Sequence, residues 1–340
     1  MEENQLIIIV AVFLSGSLLL YLLLGGADFG AGIIELFADK AHLKEHQSIV
    51  NKAMGPVWEV NHIWLIIALV ISFTAFPKAF AQISITFHIP LTILLIGIIL
   101  RGCAFAFRNY DAYKDKTHKL YSLTFAAASL LSSFSIGLIL GGIINGELDK
   151  NPNSFYEGFI APWFNLFSFL MGGFVCTCFL YIASVYIVGE TNKQEAKSGF
   201  IGKVGTFFIL TIGAGTFVFA IGIYKNNPLF LKFLSNSVSL SLILGALFLF
   251  IPIRLFLIRK TLLLPRLLLG VQISFICLAW ALTQFPYIIP ISINSDFQGL
   301  DLFEAAAGQN TLANLLIALS IGTILIVPSI FYLFRKLKVI

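Results

Sequence analysis

Four ionisable side chains stand inside runs that are otherwise apolar. They are Asp28 in LLLGGADFGAGII, Glu59 with His62 in GPVWEVNHIWLIIALV, and Arg101 in LTILLIGIILRGCAFAF. A charge at the centre of a bilayer costs about 2.5–3.5 kcal/mol on insertion scales, so one that is kept there has a partner inside the protein. Two chemistries suit two acids, an imidazole and a guanidinium. One is proton transfer, in which one carboxylate is held ionised by the arginine while the other takes and gives a proton. The other is a polar solute site at the membrane midplane, built from Asp28, Glu59 and Arg101, as in a secondary transporter.

The local spacing adds detail. Glu59 and His62 are three residues apart and share a helix face, while Trp58, Asn61 and Leu65 share a neighbouring one. Pro56 suits the first turn of a helix, where its missing N–H is no loss. Glu59 is then pulled two ways, because burial favours the protonated acid and the helix start favours the anion. Plainer roles stand beside these: Glu59 as a helix-start acid, His62 as a buried hydrogen-bonder and Asp28 as a solvated acid at the membrane interface.

The elements that carry these groups are membrane spans. Hydrophobic residues make up 58% of the 340, charged residues only 11%, and the mean hydropathy is +0.93. Soluble domains carry roughly a quarter charged residues. A bilayer core of about 30 Å takes around 20 apolar residues as a helix. That measure predicts an all-α polytopic protein with nine spans, at 6–27, 57–77, 82–105, 121–144, 162–188, 203–224, 238–258, 265–288 and 312–334. The connections are short, the longest being near 289–311, so residues 1–340 read as a single membrane domain.

Orientation follows from Lys and Arg, which accumulate in cytoplasmic loops. With the N-terminus outside, the inner segments hold Lys40, Lys44, Lys52, Arg108, Lys114, Lys116, Lys119, Lys193, Lys197, Lys203, Arg254, Arg259, Lys260, Arg266, Arg335, Lys336 and Lys338. The outer side holds Lys78, Lys150, Lys225 and Lys232. The prediction is N-out and C-in, which places Asp28, Glu59 and Arg101 in the inner third of the bilayer on consecutive helices. Gly25, Gly26, Gly30 and Gly32 around Asp28 predict close helix approach. Cys103, Cys176, Cys178 and Cys277 lie in apolar runs without metal-ligand spacing and read as buried thiols. The acidic flank MEENQL, with no small-residue cleavage site after it, argues against a removable signal peptide. No basic cluster with interleaved aromatics points to nucleic acid.

The residues already singled out also resemble a known family, subunit II of the cytochrome bd-type quinol oxidases. The likeness lies in Gly26-x-Asp28-Phe-Gly30, in Gly55-Pro-Val-Trp58-Glu59-x-Asn61-x-x-Trp64, in Ala75-Phe-Pro77 and in Arg101-Gly-x-Ala-Phe-x-Phe-Arg108. Late in the chain it continues in Phe285-Pro-Tyr-Ile-Ile-Pro290 and Ala306-x-x-x-x-Thr311-Leu. It is thin between about 145 and 260. The resemblance implies nine helices in two four-helix bundles plus one peripheral helix, in a bacterial inner membrane. It implies a heterodimer with a subunit I that holds haems b and d and oxidises quinol, leaving no cofactor or metal in this chain. A small accessory subunit, the bound lipids and the type of quinone are left open. The family's proton-path acid falls on Glu59, with His62 and Asp28 beside it and Arg101, Trp58, Asn61 and Trp64 as its charge and structural partners.

The sequence departs from the family pattern in two places. Glu59-Val60 stands where many members have Asp-Gly, with His62 in place of an acid or Gln. Ala106 stands where many have an acid, so a path through position 106 is closed here. A haem-bearing cytochrome in its own right fits poorly, since His62 and His88 fall near opposite membrane faces. His42, His46 and His118 fall in loops.

Overall fold

The computed structural model describes residues 2–37, 60–110, 117–146, 148, 152–190, 194–259, 261, 263–291 and 298–336. Among these, eight helices are long and apolar enough to cross a membrane. They are α1 (Glu3–Leu36), α4 (His88–Tyr110), α5 (Thr117–Asn145), α7 (Leu166–Glu190), α8 (Gln194–Tyr224), α10 (Ser237–Ile258), α11 (Leu263–Gln284) and α13 (Gln309–Lys336). A ninth candidate span is the bent pair α2 (Val60–Ala75) with α3 (Pro77–Thr86), whose axes differ by 113°, when the two helices are counted as one. Shorter helices α6 (Phe155–Phe159), α9 (Pro228–Ser235) and α12 (Leu302–Ala305) lie between them. Strand β1 (Tyr287–Ile289) pairs antiparallel with β2 (Leu300–Asp301) in the connection before α13. The all-α polytopic class expected from the sequence is the one observed.

The bend at Phe76 has a local cause. Proline disfavours helical geometry in the residue before it, and Phe76 sits at φ −128° and ψ 57° ahead of Pro77. Pro77 then opens α3, where its missing N–H is harmless. The expected third span at 82–105 is therefore corrected: the chain from Pro77 to Thr86 is a separate helix, and the crossing helix begins at His88. At ten residues α3 is about 15 Å long, half the thickness of a bilayer core.

Small residues decide how the helices close on one another. A side chain at Gly30 would run into the carbonyl of Phe179 on α7, and one at Gly32 into the Ser129 hydroxyl on α5. α1 is thus wedged between α5 and α7 at the depth of Asp28. α5 in turn packs along α4 and α7, α7 along α8, and α10 along α11. One apolar core fills the side on which α1 ends, gathering Phe29, Ile33, Phe125, Phe179, Ile182, Val188, Ile253 and Leu269. A second lies where α1 begins. It joins Leu6, Ile7 and Val10 to Ile71, Ala75 and Phe76 and to Leu312 and Leu315 of α13. There the Ala307 N–H donates to the Ala75 carbonyl at 2.8 Å, closing the end of α2.

Candidate functional site: a buried ion-pair ladder on α1 and α4

Asp28 and Arg101 come together in the interior. Asp28 is 0% exposed and Arg101 1%, and one Arg101 Nη2 contacts Asp28 Oδ1 in an ion pair. The same nitrogen donates to the Asp28 backbone carbonyl at 3.0 Å, and Arg101 Nε donates to Ser129 Oγ at 3.0 Å. The second carboxylate oxygen, Oδ2, accepts from Asn61 Nδ2 at 3.0 Å. Four helices, α1, α2, α4 and α5, thereby meet at the Asp28–Arg101 pair. Phe29 and Phe125 wall the guanidinium, with centroids 5.1 and 4.7 Å from Cζ. An isolated buried charge would be prohibitive, and here both charges are paired and hydrogen-bonded. Asp28 is therefore no solvated interfacial acid.

A second ion pair lies seven residues further along both helices. Arg108 Nη1 donates to Glu35 Oε2 at 2.7 Å, both side chains being buried. Its guanidinium lies 4.5 Å from the same Phe125 ring. Two residues seven apart lie two turns apart on one helix face, about 10.5 Å along the axis. Because both pairs advance by seven on α1 and on α4, the two helices must run in the same direction. That calls for an odd number of crossings between them, which the bent pair α2–α3 supplies when it counts as one span.

The sequence anticipated Asp28, Asn61 and Arg101, and the structure brings these three together. Trp64 is half-buried and packs against the larger core. His62 is half-buried near the charges of Asp28 and Arg101. Glu59 and Trp58 lie outside the described residues. Arg108, which the sequence placed in an inner segment between spans, is buried in the last turns of α4. Cys103, expected to be buried, is exposed on α4, whereas Cys176 is buried. Glu35 and Ser129 were missed, although Glu35 stands seven residues from Asp28 just as Arg108 stands seven from Arg101.

His88 opens α4, its Nδ1 2.9 Å from the Ile85 carbonyl and its ring 5.2 Å from that of Phe159. His62 is one residue from Asn61, level with Arg101, which is thirteen residues along α4 from His88. At about 1.5 Å per residue the two rings stand roughly 20 Å apart in depth. They cannot ligate one haem together.

A polytopic helical bundle with a buried acid–arginine ladder is the class that the fold and site define. A sequence model of the cytochrome bd terminal oxidase subunit II family matches residues 6–337, and the chain belongs to that family. It is 28% identical over 196 residues to the cytochrome bd ubiquinol oxidase subunit 2 of Bacillus subtilis, covering 56% of this chain and 55% of that protein. A putative cytochrome bd menaquinol oxidase subunit II of the same organism is 26% identical over 212 residues, 59% and 57% of the two chains. The cytochrome bd-I ubiquinol oxidase subunit 2 of Escherichia coli is 22% identical over 200 residues, 57% and 52%. The matched stretch spans about half the length of these relatives. A solved structure of bd oxidase from Geobacillus thermodenitrificans superposes over 98% of both chains with a TM-score of 0.77 at 20% identity. That likeness is one of fold.

Proposed function

We propose that this chain is the haem-free subunit of a bd-type quinol:oxygen oxidoreductase in a bacterial inner membrane. In this reading it binds a haem-bearing subunit I as a heterodimer, supports its assembly, and carries protons from the cytoplasmic side toward the oxygen site. Quinol is the substrate of the complex, and haems b and d belong to the partner. The N-terminus lies outside and the C-terminus in the cytoplasm, and the nine crossings form two four-helix bundles with α13 at the edge.

The observation that carries this reading is the cluster of Asp28, Asn61, Arg101 and Ser129. Three of the motifs that resemble the family, around Asp28, Asn61 and Arg101, converge there. Arg101 is committed to Asp28, whose two carboxylate oxygens are both occupied. In this reading Glu59, two residues before Asn61, is the proton-carrying carboxylate, with His62 as its neighbour. Family membership favours this over a transporter built on Asp28, Glu59 and Arg101.

The test is expression with and without the neighbouring reading frames. Purified alone, the chain is expected to show no Soret band. Purified with its partner, it should carry a haem spectrum and oxidise quinol with oxygen. A stoichiometric Soret band in the isolated chain, lost on replacing His62 or His88, would contradict the assignment.

A further inference from the structure

The ion-pair ladder has a continuation that the proposed proton path does not use. Tyr21, Asp28 and Glu35 follow one another at seven-residue intervals, so all three lie on one face of α1. Fourteen residues of helix cover about 21 Å of a bilayer core of about 30 Å. On this stripe or against it, three deeply buried polar atoms have no hydrogen-bond partner among the described residues. They are Glu35 Oε1, Tyr21 Oη and the Oδ1 of Asn61, whose amide nitrogen is bonded to Asp28. Glu35 and Tyr21 are each only 6% exposed and Asn61 1%.

Buried polar atoms in folded proteins almost always have a partner, and where protein supplies none an internal water does. Lipid makes the requirement stricter, because no solvent can reach in from the side. One orphan atom would be an isolated event. Three, at the Glu35, Asp28 and Tyr21 levels of this face, mark a row of water sites. The fixed charges beside it are Arg101 and Arg108 on α4 and Asp28 on α1, with His62 on α2. α5 offers serines, and α7 meets α1 with Phe179 and Ala183.

We propose that Tyr21, Asn61 and Glu35 line a hydrated proton-exchange stripe along α1, with Glu35 as its station on the side where α1 ends. The inference rests on the proton-carrying role given above and adds a second carboxylate to it. A proton arriving at Glu35 Oε1 makes a neutral acid. That acid releases a proton to the next water and returns to the carboxylate paired with Arg108. Each water and the Tyr21 hydroxyl accept one proton and pass one on, and no electron moves.

The decisive experiment uses the assembled complex with its partner subunit. A map at a resolution that shows waters should contain density within hydrogen-bond distance of Glu35 Oε1, Asn61 Oδ1 and Tyr21 Oη. Turnover per haem in Glu35→Gln should fall about tenfold or more, as loss of a proton-transfer group commonly does, with a larger solvent deuterium isotope effect. Glu35→Asp should recover much of it, and Tyr21→Phe should lose less than Glu35→Gln. Dry density at these atoms, or full turnover in an assembled Glu35→Gln complex, overturns the stripe. If Glu35→Gln fails to assemble, the map and Tyr21→Phe decide. Full turnover in Glu35→Gln beside a loss in Glu59→Gln sinks this inference alone, whereas full turnover in both also sinks the proposed proton role.

Discussion

Glu35 stands to Arg108 as Asp28 stands to Arg101: each acid on α1 meets the arginine 73 residues later on α4. The equal separations make the two contacts a ladder, and the ladder fixes α1 and α4 as parallel neighbours. Both guanidiniums lie against the ring of Phe125, at 4.7 and 4.5 Å from its centroid. The two ion pairs thus share one aromatic wall from α5, and neither is an isolated event of packing.

Arg101→Leu is expected to disrupt assembly. It strands the Asp28 carboxylate, and breaking a buried pair from one side costs about 3–5 kcal/mol. The main symptom should be less assembled complex in the membrane, measured by native gel and haem content. Replacing both partners with leucine should recover much of the loss, since two apolar groups leave no charge unpaired. Equal damage in the single and double variants would contradict a pairing role.

Gly30→Ala should weaken the contact of α1 with α7. The added methyl falls on the Phe179 carbonyl and close to Ala183, where backbone cannot yield as a flexible side chain could. Overpacking of this kind costs about 1–3 kcal/mol. The expected readout is a lower thermal midpoint of the purified complex. Gly173→Ala, at a position with nothing near it, should leave the midpoint unchanged.

Topology can be checked by labelling. In a background lacking Cys103, Cys176, Cys178 and Cys277, single cysteines at positions 116 and 298 should label from opposite sides. Position 298 should react with an impermeant reagent in intact cells, and position 116 only after lysis. Equal accessibility at both would contradict the nine-span, N-out arrangement.

What the sequence made legible, and what it hid, follows from the kind of signal involved. Asp28 and Arg101 stood out because each interrupts a long apolar run, and Asn61 came with them through helical spacing. Glu35 and Arg108 did not stand out. Each borders a polar stretch, ELFADK or RNYDAYKDK, and so reads as an interfacial residue. Only the structure shows that α1 and α4 continue far enough to bury them. The bend at Phe76 was hidden for a different reason. PKAFAQISIT is apolar enough to merge with the span after it, and a hydropathy window carries no information about direction. Pro77 marked where the first of the two helices ended but not where the next crossing began.

The central claim is that this chain moves protons for an oxygen-reducing partner, and Glu59→Gln tests it most directly. Glutamine keeps the volume and much of the hydrogen bonding while removing the group that titrates. The measurement is quinol-driven oxygen uptake per haem, with the assembled fraction determined in the same membranes. The account predicts a loss of about tenfold or more, within or below the 10²–10⁴-fold range of proton-transfer groups, at near-normal haem content. Full turnover per haem in the assembled Glu59→Gln complex would contradict it.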